Sequence, residues 1–230
     1  MRMILATATL KWEKWAACIE SWQSLSVGGR IPLMYVMGKT IIDAYNMILE
    51  ATKEVKFDVI AYVHDDLVCH EPNWDARIEK EFADPKVGVV GVAGALGHGR
   101  PELYKVPFEI PQLARQGFLS NMRTAEQHGR RFTGECDVTV LDGMALFVRR
   151  SLLEKIGGWK HGKAGYYLYA ETLACLARRN GYRLRLVGID CDHLGGKSSG
   201  MKQDQPFDFE GEHLWLADEF RDVLPATVQE

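Results

Sequence analysis

"VIAYVHDDLVCHEPNWDARIEKEF", residues 59–82, is the stretch that decides the fold. It opens with an apolar run, 59–63, that suits a buried strand, and the run is followed directly by His64, Asp65 and Asp66. Adjacent carboxylates repel each other, so these acids either face apart into water or share a cation. The stretch therefore predicts a buried strand that ends in a polar turn or in a cation site.

Further apolar runs that suit strands lie on both sides of this one, at 3–8, 32–37 and 87–93. Between the runs, apolar residues recur three and four positions apart, which is typical of helices. These helical positions are Trp12, Trp15, Ile19, Trp22, Ile41, Tyr45, Ile48 and Leu49. The alternation predicts an α/β fold, a single Rossmann-like domain with a mostly parallel central sheet and helices on both faces. Ligands of such sheets collect at the carboxyl ends of the strands, where residues 64–66 lie.

The second half of the chain has a less regular pattern. Strands are predicted near 138–141 and 145–149. A capping box of Ser151 and Glu154 predicts a helix that begins at Ser151 and ends at Gly157. Another helix is predicted over 169–180, and an amphipathic helix is predicted in the polar tail through Leu214, Trp215, Phe220 and Leu224.

Composition narrows the class of protein. The chain has 230 residues, of which 47% are hydrophobic and 26% charged, so one core can be buried without disulfides. A net charge of −3 gives no basic field for a nucleic-acid partner. Five scattered cysteines without a C-x-x-C pair argue against a disulfide framework or a zinc knuckle. The cysteine pattern also fits a reducing cytoplasm, and because no apolar run reaches membrane-spanning length we expect a soluble protein.

The acids at the end of the central strand have two interpretations. In an extended strand alternate side chains share a face, so His64 and Asp66 point one way and Asp65 the other. A carboxylate beside an imidazole suits Mn²⁺, and carboxylate oxygen also suits Mg²⁺. Alternatively, the acids form an Asx-turn and His64 satisfies a backbone group. The local pattern leaves both open.

Longer stretches resemble a known family. They are "AYNMILEATKEVKFDVIAYVHDDLVCHEPNWDARIEKEFADPKVGVVGVAGA", then "LDGMALFVRRSLLEKIGGW", then "YYLYAETLACLARRNGYRLRLVGIDCDHLGG". The sequence resembles the GT-A-fold glycosyltransferases of glycosyltransferase family two, in the subgroup with His-x-Asp in place of Asp-x-Asp. The resemblance covers residues 44–196. It implies one glycosyltransferase-like domain, with a nucleotide-binding half (1–106), an acceptor and metal half (107–197) and a C-terminal tail (198–230).

The resemblance also implies an activity and a metal site. It implies a metal-dependent enzyme that moves a sugar from a nucleoside-diphosphate sugar, predicted to be a UDP-sugar, to an acceptor hydroxyl. Mn²⁺ or Mg²⁺ would bridge the two phosphates of the donor. Asp66 would be a direct ligand, with His64 beside it and His193 of "IDCDHLGG" as a ligand from late in the chain. Without the family, His193 reads equally well as a polar turn residue.

Donor-binding residues follow from the same resemblance. Tyr45 and Asn46 match positions near the nucleotide, and we place Asp65 with them. Asp142 matches a residue beside the sugar or acceptor, and Trp159 would stack on a sugar or a base. Each has a structural alternative. Tyr45 and Trp159 suit a core, Asn46 suits a solvated helix face, and Asp142 with Gly143 suits an ordinary turn.

One catalytic position departs from the family pattern. Ala170 occupies the position of the usual base and Thr172 the next acidic position, which leaves Glu171 as the carboxylate in that segment. Either Glu171 is the general base of an inverting enzyme, or the mechanism is retaining, or turnover is lost. The sequence does not distinguish these three.

Two other functions compete with the glycosyltransferase. A nucleotidyltransferase also needs a parallel sheet and a carboxylate-bound metal, but it should carry a Gly-rich basic loop after the first strand, unlike "ATATLKWEKW". A catalytically inactive nucleotide-sugar-binding module would explain Ala170. The acceptor stays open among a glycan, a protein, a lipid-linked sugar and a modified nucleobase, and the pattern does not specify an oligomeric state.

Overall fold

The computed structural model describes residues 1–9, 12–99, 115–123, 129–160, 167–194 and 208–229. Its strands are β1 (Met3–Thr9), β2 (Leu33–Met37), β3 (Val59–Val63), β4 (Leu67–Cys69), β5 (Val87–Gly91), β6 (Ala93–His98), β7 (Arg115–Ser120), β8 (Arg130–Arg131), β9 (Glu135–Val138), β10 (Val140–Leu141), β11 (Ala145–Arg149), β12 (Arg183–Val187), β13 (Cys191–His193) and β14 (Ala226–Thr227). Its helices are α1 (Trp12–Ser24), α2 (Ile41–Ala51), α3 (Trp74–Phe82), α4 (Arg150–Ile156), α5 (Tyr169–Arg179) and α6 (Phe209–Glu219). The predicted boundaries at 106–107 and 197–198 lie outside the described residues.

A seven-stranded sheet with the order β2-β1-β3-β11-β5-β12-β9 forms the centre of the fold. The pairs β1–β2, β1–β3 and β5–β12 are parallel, as helical crossovers require. β11 enters between β3 and β5 antiparallel to both, and β9 is antiparallel to β12. The predicted α/β fold with a mostly parallel sheet is confirmed, since five of the seven strands of this sheet run in one direction and β11 and β9 run against them. β11 follows a turn after β10 rather than a helix, so no crossover sets its direction.

Helices cover both faces of this sheet, as predicted. Residues of β3 alternate between two cores: Ile60 and Tyr62 pack with α2, α4 and α5, whereas Val59, Ala61 and Val63 pack with α1 and α3. All five are buried, which explains the uninterrupted apolar run. Because the sheet is covered on both sides, the site must lie at the ends of its strands.

Two smaller sheets extend the fold beside the central one. One has the order β10-β6-β7-β8, with β14 also paired to β6. The other is a two-stranded antiparallel ribbon of β4 and β13, in which His193 lies opposite Leu67 and Cys191 opposite Cys69. We call this pair the β4–β13 ribbon. It begins just after β3 and brings a late segment of the chain to the end of that strand.

Helix ends follow the sequence signals only in part. α4 begins at Arg150 rather than Ser151, and its N-cap, Arg149, makes no side-chain capping bond, so the predicted capping box is wrong. The Arg149 guanidinium instead donates to the carbonyls of Phe82, Asp84 and Val87, which holds the strand–helix junction. Gly157 ends the helix in the left-handed conformation, with φ of 72°, as predicted.

The helix predicted in the tail is present as α6, but its buried face is not the predicted one, because Leu214 is exposed whereas Glu212 and His213 are buried. Leu216 and Phe220 pack in a small cluster with Leu168 and Cys175, so this segment covers the outer face of α5. All five cysteines are buried and free of disulfide bonds. In the part of the chain that the structure describes, no helix is both long and apolar enough to cross a membrane.

Candidate active site

The candidate site lies where β3 ends. The strand stops at Val63, one residue before His64, and the chain turns through Asp65 and Asp66 into β4. The prediction of an extended backbone here is therefore wrong. The turn nevertheless keeps His64 and Asp66 together, because Leu67 N–H donates to the carbonyl of His64 at 3.4 Å. His64 N–H itself donates to the Met144 carbonyl at 2.8 Å, which holds its backbone to the start of β11.

Three side chains that can bind a metal meet at this turn: His64, Asp66 and His193. One ligand atom from each lies within 4.8 Å of the other two. His193 Nε2 is 3.2 Å from Asp66 Oδ1, and Leu194 N–H donates to the Asp66 carbonyl at 2.8 Å. The β4–β13 ribbon produces this meeting by pairing His193 with Leu67. We call these three residues the His–Asp–His cluster.

The pKa values of the two imidazoles in the cluster are shifted in opposite directions. Burial alone would lower the pKa of His193, but the hydrogen bond to Asp66 and its charge outweigh burial and raise that pKa. Burial lowers the pKa of His64, with a smaller contribution in the same direction from His193. His193 therefore favours its protonated form beside Asp66. His64 favours its neutral form, which is the form in which a histidine binds a metal.

The donor set fits a divalent transition-metal ion. Mn²⁺ binds carboxylate oxygen and also tolerates imidazole, whereas Mg²⁺ prefers oxygen ligands in an octahedral shell. Asp66 has a side chain only 7% exposed and lies against His193. A cation in this position would replace the proton that His193 otherwise shares with Asp66.

Tyr169, the first residue of α5, is a member of the site that the sequence pattern did not reveal. Its hydroxyl oxygen is 2.8 Å from His64 Nε2 and 3.2 Å from the Gly143 carbonyl oxygen, to which it donates. In the sequence it belongs to an ordinary apolar helix face. The available signal was its place directly before Ala170, where the resemblance leads one to expect acids.

Asp142 lies beside the cluster, in the turn between β10 and β11. Its Oδ1 accepts a hydrogen bond from Met144 N–H at 3.2 Å. Its negative charge raises the pKa of both His64 and His193, although it is not the largest influence on either. The predicted turn is therefore present, and a contact of Asp142 with a sugar or an acceptor stays a prediction.

Glu171 lies in the first turn of α5 and is 6% exposed. Leu168 and Cys175, three residues before it and four after it, pack against α6. Helical spacing places Glu171 on that same side of α5, whereas Tyr169 and Ala170 pack toward the central sheet. Glu171 is not among the three donors of the cluster, and its role as a general base stays a prediction.

Tyr45 and Trp159 lie in a buried aromatic group beneath the site, where their exposures are 0% and 3%. The ring centroid of Tyr45 is 4.4 Å from that of Tyr62 and 5.1 Å from that of Trp159. Asn46 joins the same group, because its side chain donates to the Trp159 carbonyl at 3.1 Å and accepts from Trp159 N–H at 2.8 Å. These contacts support the core interpretation of Tyr45 and Trp159, whereas Asn46 is bonded to the Trp159 backbone and does not lie on a solvated helix face. Nucleotide binding by any of the three stays a prediction.

Asp65 faces away from the cluster, toward the end of β1. Its Oδ2 accepts a hydrogen bond from the Thr9 hydroxyl at 2.7 Å. This bond links the carboxyl ends of β1 and β3, which are neighbours in the sheet. The opposite orientations of Asp65 and Asp66 agree with the sequence analysis, and donor binding by Asp65 stays a prediction.

Comparison with known proteins adds a family and a fold. The sequence model of a glycosyltransferase-like family matches residues 6–191. No curated protein gives a significant match to the chain. Among solved structures, protein A197 from STIV has 15% identity and a TM-score of 0.50, over 85% of this chain and 86% of its own.

Two solved glycosyltransferases also have a similar structure. The mannosyltransferase PcManGT from Pyrobaculum calidifontis, in complex with GDP-Man and Mn²⁺, has 15% identity and a TM-score of 0.51. The match covers 86% of this chain and 58% of the mannosyltransferase. The catalytic domain of Drosophila β1,4-galactosyltransferase 7, in complex with xylobiose, has 10% identity and a TM-score of 0.52 over 92% of this chain and 79% of its own. At these identities the likeness is one of fold.

Proposed function

The chain belongs to the glycosyltransferase-like family, and we propose that it is a metal-dependent enzyme that moves a sugar from a nucleoside-diphosphate sugar to an acceptor hydroxyl. The observation that carries this proposal is the His–Asp–His cluster at the end of β3. The predicted donor is a UDP-sugar. The mannosyltransferase of similar fold that was solved with GDP-Man and Mn²⁺ supports the general class of donor and metal.

The cluster has the chemistry that such a transfer needs. A bound divalent ion supplies positive charge to the diphosphate as it leaves the sugar. Asp66 would provide the anionic ligand, and His64 and His193 would provide neutral nitrogen ligands. Because Asp66 is nearly buried, its charge is weakly screened by water, which strengthens its hold on a cation.

The residues around the cluster have proposed roles in orienting the reactants. Asp142, beside both histidines, would accept a hydrogen bond from a hydroxyl of the sugar or the acceptor. Asp65 would contact the donor near the ends of β1 and β3. Glu171 remains the proposed general base of an inverting reaction, with Asp142 as the carboxylate closer to the cluster.

A second candidate is a nucleotide-sugar-binding module without turnover. Ala170, at the usual position of the base, is buried in the apolar core with Leu173 and Ala174. An alanine methyl group cannot accept a proton. This observation favours a protein that keeps the donor pocket and has lost the transfer step.

The deciding experiment separates binding from turnover. Thermal shift with a panel of UDP- and GDP-sugars, with and without Mn²⁺, should show stabilisation by one donor that depends on Mn²⁺, since a ligand of the folded state raises its stability. Release of nucleoside diphosphate from that donor then identifies an enzyme. Mn²⁺-dependent binding without release identifies the module, and the absence of stabilisation by any donor overturns both.

A further inference from the structure

We propose that Tyr169 is a positioning residue that sets which ring nitrogen of His64 faces the metal. This inference rests on the metal site proposed above. It assigns a role to the Tyr169 hydroxyl, which contacts both His64 Nε2 and the Gly143 carbonyl.

The hydrogen-bond partners of Tyr169 determine the direction of each bond. A phenol has one proton to donate, and the Gly143 carbonyl can only accept. Once the hydroxyl donates to Gly143, it can only accept from His64, so Nε2 must carry the ring proton. Neutral His64 then has its lone pair on Nδ1. Nδ1 is the nitrogen left to bind a cation.

Gly143 has the shape that this arrangement requires. A Cβ atom added at Gly143 would stand 2.0 Å from the Tyr169 hydroxyl oxygen and 2.5 Å from the ring carbon that carries it. Gly143 is not among the glycines with positive φ in the described chain, so its backbone conformation does not demand glycine. Glycine is required here because the Tyr169 hydroxyl occupies the space that a side chain would need. The "DG" pair thus has a reason beyond an ordinary turn.

The start of α5 is built to deliver this side chain. Leu168 adopts the left-handed conformation, with φ of 55°, which is uncommon for a residue other than glycine and is strained. The turn sends Leu168 into the cluster with α6 and Tyr169 toward the central sheet. The Tyr169 ring then lies against Trp159, with centroids 5.8 Å apart. The hydroxyl therefore reaches His64 from a rigid base.

His64 is consequently held at two points. Its backbone N–H bonds to Met144 and its ring bonds to Tyr169. Outer partners of this kind orient a metal-binding histidine and fix its tautomer, and their loss typically costs 10–100-fold in metal affinity. Tyr169 acts here through His64, as a positioning residue.

The test combines a tautomer measurement with a metal titration. NMR of ¹⁵N-histidine-labelled, metal-free protein, recorded where His64 is neutral, should show its proton on Nε2. In Tyr169→Phe, which keeps the ring and removes the hydroxyl, this preference should weaken and Mn²⁺ affinity, measured by calorimetry, should fall about 10–100-fold. The matched control is Tyr62→Phe, which removes another buried hydroxyl from the same aromatic group and should leave Mn²⁺ affinity unchanged.

The outcomes separate this inference from the proposed function. A His64 proton on Nδ1, or a Tyr169→Phe protein with wild-type Mn²⁺ affinity, overturns the positioning role and leaves the metal site standing. An equal loss of affinity in Tyr62→Phe also overturns it, because the effect would then belong to the aromatic packing. Failure of the wild-type protein to bind Mn²⁺ overturns the metal-dependent function, and the positioning role with it.

Discussion

Two His–Asp pairs lie along the β4–β13 ribbon, and they differ in what surrounds them. Asp66 and His193 approach at 3.2 Å, and His70 and Asp192 approach at 2.8 Å. Asp192 and His193 are neighbours on β13, so their side chains leave opposite faces of the ribbon. The same chemical pair thus occurs twice, within one small element.

The difference lies in burial and in a third donor. The side chain of Asp66 is 7% exposed, that of Asp192 is 31% exposed, and only Asp66 has a second imidazole, His64, within reach in the described chain. Water screens the exposed pair, so it is worth at most about 1 kcal/mol. A carboxylate and an imidazole in contact therefore do not by themselves make a metal site. Deeper burial and a third donor distinguish the candidate metal site from the exposed pair.

The largest expected effect comes from breaking the buried pair. Asp66→Asn keeps the size of the side chain but removes the negative charge that holds the cation. Losing the metal removes several kcal/mol of transition-state stabilisation, so Mn²⁺-dependent turnover should fall by about 10⁴-fold. The measurement is release of nucleoside diphosphate together with Mn²⁺ calorimetry. Unchanged calorimetry in this variant would eliminate the metal site.

A second prediction asks which carboxylate beyond the pair takes part in the reaction. If Glu171 is the general base, Glu171→Gln should lower turnover by about 10²–10⁴-fold and leave donor affinity unchanged. If Asp142 accepts the proton or orients the sugar, Asp142→Asn should show the larger loss. Steady-state kinetics of the two variants side by side decide between them. Full activity in both would remove general-base catalysis by either residue.

The pH dependence of metal binding is the third prediction. A proton on His193 competes with Mn²⁺, and Asp66 raises the pKa of that histidine. Mn²⁺ affinity should therefore fall as the pH drops through the raised pKa, by about tenfold per pH unit for each proton displaced. Calorimetry between about pH 5 and 8, where histidine titrates, measures this slope. A flat profile would exclude His193 as a ligand.

In the metal-free protein, the contribution of His193 to folding stability should fall as the pH rises, whereas Mn²⁺ affinity rises. Because the folded state raises this pKa, its contribution to stability is full below the unfolded pKa and is lost as the pH rises through the folded one. The lowered pKa of His64 opposes this trend, since its contribution is full above the unfolded pKa. Comparing wild type with His193→Gln isolates the first contribution in unfolding experiments.

The smallest expected effect belongs to the exposed pair. Asp192→Asn should lower the free energy of unfolding by less than about 1 kcal/mol, because solvent already screens its contact with His70. Its Mn²⁺ affinity should equal that of wild type, which makes it the matched control for Asp66→Asn. Denaturant titration and calorimetry measure the two quantities. A loss of Mn²⁺ affinity here would mean that the two pairs are not independent.

The parts of the fold that sequence reasoning recovered are those with local signals. β3 is buried on both faces, so its five apolar residues identify it without reference to the rest of the chain. The Gly157 end of α4 likewise depends only on its own backbone. The start of α4 depends on distant residues, because the Arg149 side chain donates to carbonyls of another segment. The helix therefore begins before the predicted capping box.

In the candidate site, too, some features have local sequence signals and others depend on distant contacts. The place of His64 and Asp66 after a strand left a cation site and an Asx-turn both open, and the resemblance assigned these two residues and His193 to a metal. The contact of Tyr169 with His64 joins the start of a helix to the end of a distant strand. Nothing in the residues around either partner indicates it, just as nothing local indicates that β11 inserts antiparallel between β3 and β5. Long-range pairing decides both.

The β4–β13 ribbon also has a consequence for the order in which the chain folds during synthesis. His64 and Asp66 leave the ribosome long before His193, and the ribbon is what joins them. Closing so long a loop costs chain entropy that only the completed contacts return. A nascent chain that ends before β13 should therefore lack the complete set of metal ligands, and metal capture should be a late event that reports the arrival of the last strand of the ribbon.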